Sequence, residues 1–246
     1  MLRKLIAASV TFVTVTAIAV LPLSAFAQDE AGLLQVTEVK VKTGRIAEFV
    51  ELQRQMAEAG REAGMTGRSV WEVQAGRTGT FHIVEPRPNY AYYDDPPDAP
   101  VTGAAWGAWV ARITDTVEDR SVWNLRVYDD LVIPPPDGAE QNLVLLRIRE
   151  VRPFMVDDYE EWLRDKLLPG LREGGETGVS FYRITAGGNV ETWFGVTQYS
   201  SWAELDKPGP FAGLSERQRN NIFDDAAKMQ VGGENLVLQY RAELSY

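Results

Sequence analysis

The sequence has no cysteine and a single histidine, His82. The first absence excludes disulfide scaffolds and thiolate metal sites, and the second excludes zinc sites built from several histidines. Basic residues are also scarce, since 25 Lys and Arg stand against 35 Asp and Glu and give a formal net charge of −10. An acidic balance argues against binding of a nucleic-acid backbone, which takes clustered cations. We therefore expect no nucleic-acid partner and no metal site.

Common catalytic motifs are absent as well. The sequence contains no G-x-S-x-G nucleophile turn, no phosphate-binding glycine loop and no G-x-G-x-x-G fingerprint. The sequence therefore gives no support to the hydrolases and nucleotide-binding enzymes that such motifs define.

The first 27 residues have the three-part layout of a secretory signal peptide. Arg3 and Lys4 form a positive start, residues 5–23 are mostly apolar, and Ala25-Phe26-Ala27 matches a small-residue cleavage site. An uncleaved membrane anchor is the alternative, because the apolar run nearly reaches the ~20 residues that span a bilayer. The polar and acidic residues after Ala27 favour cleavage there. We expect a periplasmic or secreted mature chain without a membrane span.

The rest of the chain contains an internal repeat. Residues 61–76 and 172–187 are identical at eight of sixteen positions, and residues 39–49 parallel 150–159. Between the copies, the prolines at 134–136 cannot continue a helix or a central strand, so they indicate a linker. We predict a signal peptide at 1–27, a first repeat at 28–133, a Pro-rich linker at 134–138 and a second repeat at 139–246.

Each repeat has the pattern β-α-β-β-α-β. In the first, alternation predicts strands at 33–42, 68–75, 80–85 and 121–131, and helical spacing predicts helices at 45–62 and from Trp106 to Val117. The second repeat follows, with strands at 143–149, 179–185, 190–198 and 235–243 and a last helix from Ser215. This order gives the ferredoxin-like unit, a four-stranded antiparallel sheet with both helices on one face. Two copies can cover each other's bare faces, so we predict an α+β fold in which two ferredoxin-like βαββαβ repeats form one pseudo-dimeric barrel.

The junctions between strand and helix support this fold. A strand that ends in charged residues meets a Gly or Pro break, and a helix with an aromatic residue in its first turn follows, at residues 39–49 and again at 151–159. The pattern resembles the dimeric α+β barrel superfamily, especially its antibiotic-biosynthesis-monooxygenase-type and NIPSNAP-type members, here duplicated in tandem over residues 33–245. The resemblance leaves function open, because the superfamily includes cofactor-free monooxygenases, haem-binding enzymes, isomerases and proteins of no known activity. Its haem barrels of double length take a histidine from the second copy, where this sequence has none, so we expect no cofactor.

Three residues are candidates for catalysis. His82 lies on a predicted strand where the second repeat has Trp193, and it is either a general base or a strand histidine with a satisfied hydrogen bond. The cofactor-free monooxygenases that the sequence resembles need an aromatic, an amide and a basic group around the substrate. Trp71 would supply the aromatic group, and His82, Arg68 and Asn124 are the catalytic candidates.

Four aromatic residues are candidates for a ligand pocket. Alternate residues of barrel strands face the interior, so the central hairpins predict a pocket for a flat small molecule, with a packed core as the alternative. The predicted lining residues are Trp71, Tyr182, Trp193 and Phe194. An open cavity with His82 or Arg68 facing inward would support catalysis, and a filled interior would contradict it.

Three functions stay open on this evidence. The first is an exported barrel of unassigned activity, which either binds a small apolar or aromatic molecule between its sheets or has a structural role. The second is a cofactor-independent monooxygenase acting on an aromatic or quinone-like compound. The third is a protein-interaction module that uses the loop at 89–97, which holds three tyrosines and two aspartates and otherwise folds onto the sheet edge. The chain is expected to be a monomer with pseudo-twofold symmetry or a higher homo-oligomer.

Overall fold

The computed structural model describes residues 32–97 and 99–246; the predicted signal peptide lies outside them. The first copy forms strands β1 (Leu33–Val41), β2 (Ser69–Ala75), β3 (Thr80–Arg87) and β4 (Val117–Ile133), with helices α1 (Ile46–Glu62) and α2 (Gly103–Thr116). The second copy forms β5 (Leu143–Val151), β6 (Val179–Ala186), β7 (Thr192–Tyr199) and β8 (Gln230–Tyr240). Its helices are α3 (Val156–Trp162), α4 (Leu168–Glu173) and α5 (Glu216–Met229), and a π-helical turn at Leu163–Leu167 joins α3 to α4.

The eight strands of the described residues close into one barrel, in the order β1-β3-β2-β8-β5-β7-β6-β4. Each copy keeps its own four strands together, and the copies meet at two seams, where β2 pairs with β8 and β4 pairs with β6. Closure pairs the outer strand of each sheet with a strand of the other copy and so removes the free edges. The predicted α+β fold of two ferredoxin-like units in one barrel is confirmed.

Alternation along the strands divides the core into layers. On β1, Leu34 and Val36 face the barrel interior, whereas Val39 and Val41 face outward, where α1 packs. The second copy has its own outer layer beneath α3, α4 and α5. The interior is therefore shared by both copies, and each outer layer belongs mainly to one.

Two strands begin earlier than the sequence pattern predicts. β4 begins at Val117, directly after α2 ends at Thr116, and β8 begins at Gln230, directly after α5. Val117 thus belongs to the strand rather than to the helical stripe. Helix α5 starts as predicted, because Ser215 and Gln218 form a reciprocal capping box.

Helix α2 lies on the outside of the first sheet. The Trp109 indole Nε1 donates to the Leu52 carbonyl at 2.9 Å and so attaches α2 to α1. Trp106 stacks on Trp109 and stays 40% exposed. No helix in the described part of the chain is long and apolar enough to cross a bilayer.

Candidate functional site

A small cavity of about 50 Å³ lies inside the barrel. Its lining residues run from Leu34 and Val144, near the end of the barrel where β1 and β5 begin (the lower end), to His82 and Phe194 near the middle of both sheets. Half-buried Val84 and Val196 stand near that lower end. The walls are otherwise apolar or aromatic, and the residues that line them are Leu34, Val36, Trp71, His82, Val84, Leu125, Val144, Leu146, Tyr182, Phe194, Val196 and Leu238.

His82 is the one basic residue among those that line the cavity. It lies on β3 directly opposite Glu38 on β1, and its Nε2 is 2.9 Å from Glu38 Oε2. The imidazole is 3% exposed, and its ring meets the edge of Trp123 with centroids 6.2 Å apart. A carboxylate that holds one nitrogen of a buried imidazole fixes the orientation of the ring, which is the arrangement of an oriented general base.

Glu38 is itself held from the other side. Arg77, in the turn between β2 and β3, donates from Nη1 to Glu38 Oε1 at 2.7 Å, and its Nη2 is 3.2 Å from Glu234 on β8. Burial alone would raise the pKa of Glu38, but the hydrogen bonds and charges of His82 and Arg77 together hold that pKa below its usual value. Glu38 is therefore an anion at neutral pH, and Arg77 links it to the second copy.

Three of the four predicted pocket residues line the cavity, namely Trp71, Tyr182 and Phe194. Trp71 Nε1 donates to Ser69 Oγ at 3.1 Å, which leaves the indole face to the interior. Burial raises the pKa of Tyr182, so its hydroxyl keeps its proton at neutral pH.

The prediction for Trp193 is wrong, because this side chain belongs to the outer layer of the second copy. It stacks on Tyr128 with ring centroids 5.4 Å apart and contacts Tyr159 at 5.6 Å. Adjacent strand residues face opposite sides of a sheet, so Phe194 faces inward and Trp193 cannot. The strand registers also show that Phe194, opposite Ile148, is the counterpart of His82, opposite Glu38.

Arg68 lies outside the cavity and hydrogen-bonds the last residues of the chain to the first copy. Its Nη1 donates to the Leu244 carbonyl at 2.8 Å, and its Nη2 donates to Gln53 Oε1. Its main chain also pairs with that of Tyr246, at 2.7 and 2.9 Å. The guanidinium is buried, and burial lowers its pKa. Arg68 thus has a structural position, and the expectation that it faces the interior is not met.

Asn124 also lies away from the cavity. Its Oδ1 accepts a hydrogen bond from the Tyr93 hydroxyl at 2.6 Å, and its carbonyl accepts one from Thr185 Oγ1 at 3.0 Å. The Tyr90 hydroxyl is 2.6 Å from the same Thr185 hydroxyl. The loop at 89–97, called the tyrosine loop, is therefore hydrogen-bonded to both strands of the seam between β4 and β6. Of the three catalytic candidates, the structure places His82 alone at the cavity.

Glu38 and Arg77 are the two residues of this polar cluster that the sequence pattern did not single out. A signal for Glu38 was present, because it shares the inward parity of Leu34 and Val36 on β1 and is charged. A charged residue on an apolar strand face requires a partner. Arg77 lies in a glycine-flanked turn and carried no comparable signal.

The residues present do not fit a haem. His82, the single histidine, is buried with Nε2 occupied by Glu38, and a cavity of about 50 Å³ is far too small for a porphyrin. The outer face of the second sheet is filled by Tyr159, Trp162 and Trp193. Within residues 32–97 and 99–246, no three His, Cys, Asp or Glu residues come together as a metal-binding group.

The barrel is similar to solved structures along most of its length. A proposed monooxygenase from Fusobacterium nucleatum aligns with a TM-score of 0.59 and 14% identity, over 86% of this chain and 93% of that chain. One from Lactobacillus acidophilus gives 0.56 and 13%, over 86% and 94%. An anthrone oxidase-like protein gives 0.52 and 12%, over 87% and 93%. No family model matches the sequence, and no curated protein matches it significantly.

At identities this low, the alignments show a shared fold and do not show a shared function. The chain has the fold of the dimeric α+β barrel superfamily, with both ferredoxin-like units on one polypeptide. Because the alignments extend over both copies, the likeness is to the whole doubled barrel.

Proposed function

We propose that this protein binds a small apolar or aromatic molecule inside its barrel, with His82 as the polar contact. The observation that carries the proposal is a cavity with apolar walls and one oriented base, held by Glu38. Ligand sites commonly combine apolar walls with a few fixed polar groups. A barrel interior that only packed as a core would be more stable with apolar residues at these positions than with an imidazole and a carboxylate. Removing polar groups from water costs free energy that their mutual hydrogen bond must offset.

The size of the cavity limits the ligand. About 50 Å³ holds a few water molecules, whereas an engineered cavity that binds benzene measures about 150 Å³. An aromatic ring therefore enters only when wall side chains change rotamer. Val84 and Val196 are the half-buried residues of the wall, so the movement is expected at the lower end.

The test is native mass spectrometry of the protein purified from its own host, followed by titration with the ligand that it retains. Val196→Phe should block the lower end and weaken binding at least tenfold. Val132→Phe is the matched control, since Val132 is also half-buried on a strand and does not line the cavity. Equal binding by both variants would place the ligand elsewhere.

Cofactor-independent oxidation of the bound molecule is the second candidate. It is supported by the imidazole oriented by Glu38, which can take a proton from an acidic C–H or O–H group, and by the fold that the chain shares with proposed monooxygenases. The test is oxygen consumption with small quinols and phenols as probes, without added metal or flavin. Activity that survives His82→Gln, or none with any probe in the wild type, would remove this candidate.

We also infer that the protein is exported and that its mature chain begins at Gln28. The support is the sequence pattern of residues 1–27. N-terminal sequencing of the protein from the host's extracytoplasmic fraction tests it, and an intact N-terminus at Met1 would contradict it.

A further inference from the structure

Phe154 combines two unusual properties. It is the one non-glycine residue of the described chain with a positive φ, at 68°, and its side chain is fully exposed, at 101%. It lies in the turn between β5 and α3. The matching turn of the first copy has Gly44, with a φ of 84°. The residue at this position of the turn therefore has a left-handed backbone conformation. Glycine adopts that conformation without steric strain, whereas the Cβ atom of phenylalanine makes it unfavourable.

Two further apolar side chains are exposed beside this turn. Val190 precedes β7 and is 51% exposed, and Val231 lies on β8 and is 53% exposed. Because β5 pairs with both strands and paired strands lie about 4.8 Å apart, these two residues flank the end of β5 within about 10 Å. Phe154, Val190 and Val231 together are called the apolar tip.

The first copy has no such tip. By strand register, the matching positions there are Gly44, Thr78 and Glu118, which offer no apolar side chain. The same fold is therefore built without apolar side chains at these three positions, although Ile46 at the start of α1 is 38% exposed nearby, so the fold does not require them. Clustered exposed apolar side chains mark an interaction surface.

The charges around the tip indicate the kind of partner. Four carboxylates lie close to the tip along the chain, and within the described residues none of the four forms an ion pair. They are Glu150, Asp157, Asp158 and Glu191. Among the nearby cations, Lys228 pairs with Asp225, whereas Arg152 donates to the Lys228 carbonyl and keeps its positive charge, so the four carboxylates still outnumber it. The chain as a whole carries −10. This charge repels anionic lipid and favours a basic surface.

We propose that the apolar tip docks into a partner protein whose surface offers an apolar pocket bordered by lysine or arginine. Phe154 is the anchor, because a large aromatic side chain that fills a pocket carries much of the binding energy of an interface. The carboxylates around it pair with the basic border and set the dependence on salt.

The experiment places the photo-crosslinker p-benzoylphenylalanine at position 154 of the full chain, expressed in its own host. The control position is Phe223, an exposed aromatic residue of α5. A protein crosslinked at 154 and not at 223 is identified by mass spectrometry and purified, and its affinity is measured by calorimetry at two salt concentrations. We expect Phe154→Gly to weaken binding by about 30-fold, Phe223→Ala to leave it unchanged, and higher salt to weaken wild-type binding.

Folding is checked in the same variants. Phe154→Gly should unfold at the same temperature as the wild type or higher, since glycine suits the turn. Phe154→Asn, which also tolerates positive φ, is the second variant and should lose binding equally. A crosslink only between copies of this chain, no crosslink above the control, or unchanged affinity in both variants would overturn the proposal. Sedimentation with phosphatidylcholine vesicles that is lost in Phe154→Gly would also overturn it, in favour of a lipid surface.

Discussion

His82 and Glu38 face each other on neighbouring strands of the inner wall, with Nε2 2.9 Å from Oε2. At the matching positions of the second copy, Phe194 faces Ile148. A polar pair in one half of the barrel thus corresponds to an apolar pair in the other. Closure of the barrel does not depend on a polar pair at this position, because the second copy has an apolar pair there. The polar pair therefore distinguishes the interior of the first copy from that of the second.

The contribution of Glu38 to stability should depend on pH. Its pKa in the folded chain lies below the ordinary value of 4.5, so the stabilisation is present above pH 4.5 and is lost as the pH falls through the lowered value. Glu38→Gln should therefore lower the free energy of unfolding by about 1–3 kcal/mol at pH 7. The difference from the wild type should shrink below pH 4.5. Urea unfolding from pH 3 to pH 7 measures both effects.

The control for this variant is Glu58→Gln. Glu58 pairs with Arg54 on the exposed face of α1, where solvent screening leaves such a pair little effect on stability. A constant difference between Glu38→Gln and the wild type at every pH would contradict a titrating role for Glu38.

Substitution of Arg68 should affect folding and leave the cavity intact. Arg68→Ala removes the buried guanidinium that Gln53 and the Leu244 carbonyl require as donor, at a cost of about 3 kcal/mol. Arg172→Ala is the control, because Arg172 is exposed and makes a single long bond of 3.3 Å to Val132. Denaturant unfolding measures stability, and titration with the retained ligand measures the cavity. Normal stability with lost ligand binding would instead make Arg68 a ligand contact.

Truncation of the two neighbouring aromatic residues on β7 should lower stability similarly but should affect ligand binding in the cavity differently. Phe194→Ala and Trp193→Ala should each lower the free energy of unfolding by about 3–5 kcal/mol. Only Phe194→Ala enlarges the interior cavity, since Trp193 lies in the outer layer. We therefore expect benzene to bind Phe194→Ala more tightly than the wild type or Trp193→Ala, as measured by calorimetry. Phe194→Leu and Trp193→Phe provide a milder pair, and equal benzene binding in both pairs would refute the assigned faces.

The sequence was sufficient to predict the doubled βαββαβ order, because periodicity and repetition are local properties of the chain. It was insufficient for the register of one strand. The turn between β6 and β7 is one residue longer than that between β2 and β3, so alignment of the copies matched His82 with Trp193 instead of Phe194. A shift of one residue moves a side chain to the other face of the sheet.

The partners of Arg68 were beyond prediction for a different reason. Leu244 is 176 positions away along the chain, and the bond depends on the C-terminus crossing to the first copy. No local pattern marks such a crossing. The same applies to the bonds of Asn124 with the tyrosine loop, which depend on where the loop settles across the seam.

Two matched glycines close the seams and should differ in their tolerance of a side chain. Gly76 and Gly187 share positive φ values of 103° and 87°. A Cβ at residue 187 would lie 2.0 Å from the Val122 carbonyl oxygen, whereas one at residue 76 would lie 2.4 Å from the Leu236 Cδ2 atom. A leucine side chain can change rotamer, but a paired strand carbonyl cannot move without breaking the ladder.

Both alanine variants should therefore be destabilised by at least about 1 kcal/mol from backbone strain, and Gly187→Ala should lose about 2 kcal/mol more than Gly76→Ala. Thermal and denaturant unfolding measure the two losses. Gly44→Ala is the control for strain alone, since φ is 84° there and nothing lies within 4 Å of its Cβ position. If Gly187→Ala proves no worse than Gly44→Ala, the approach of β6 to β4 at this seam is looser than the structure describes.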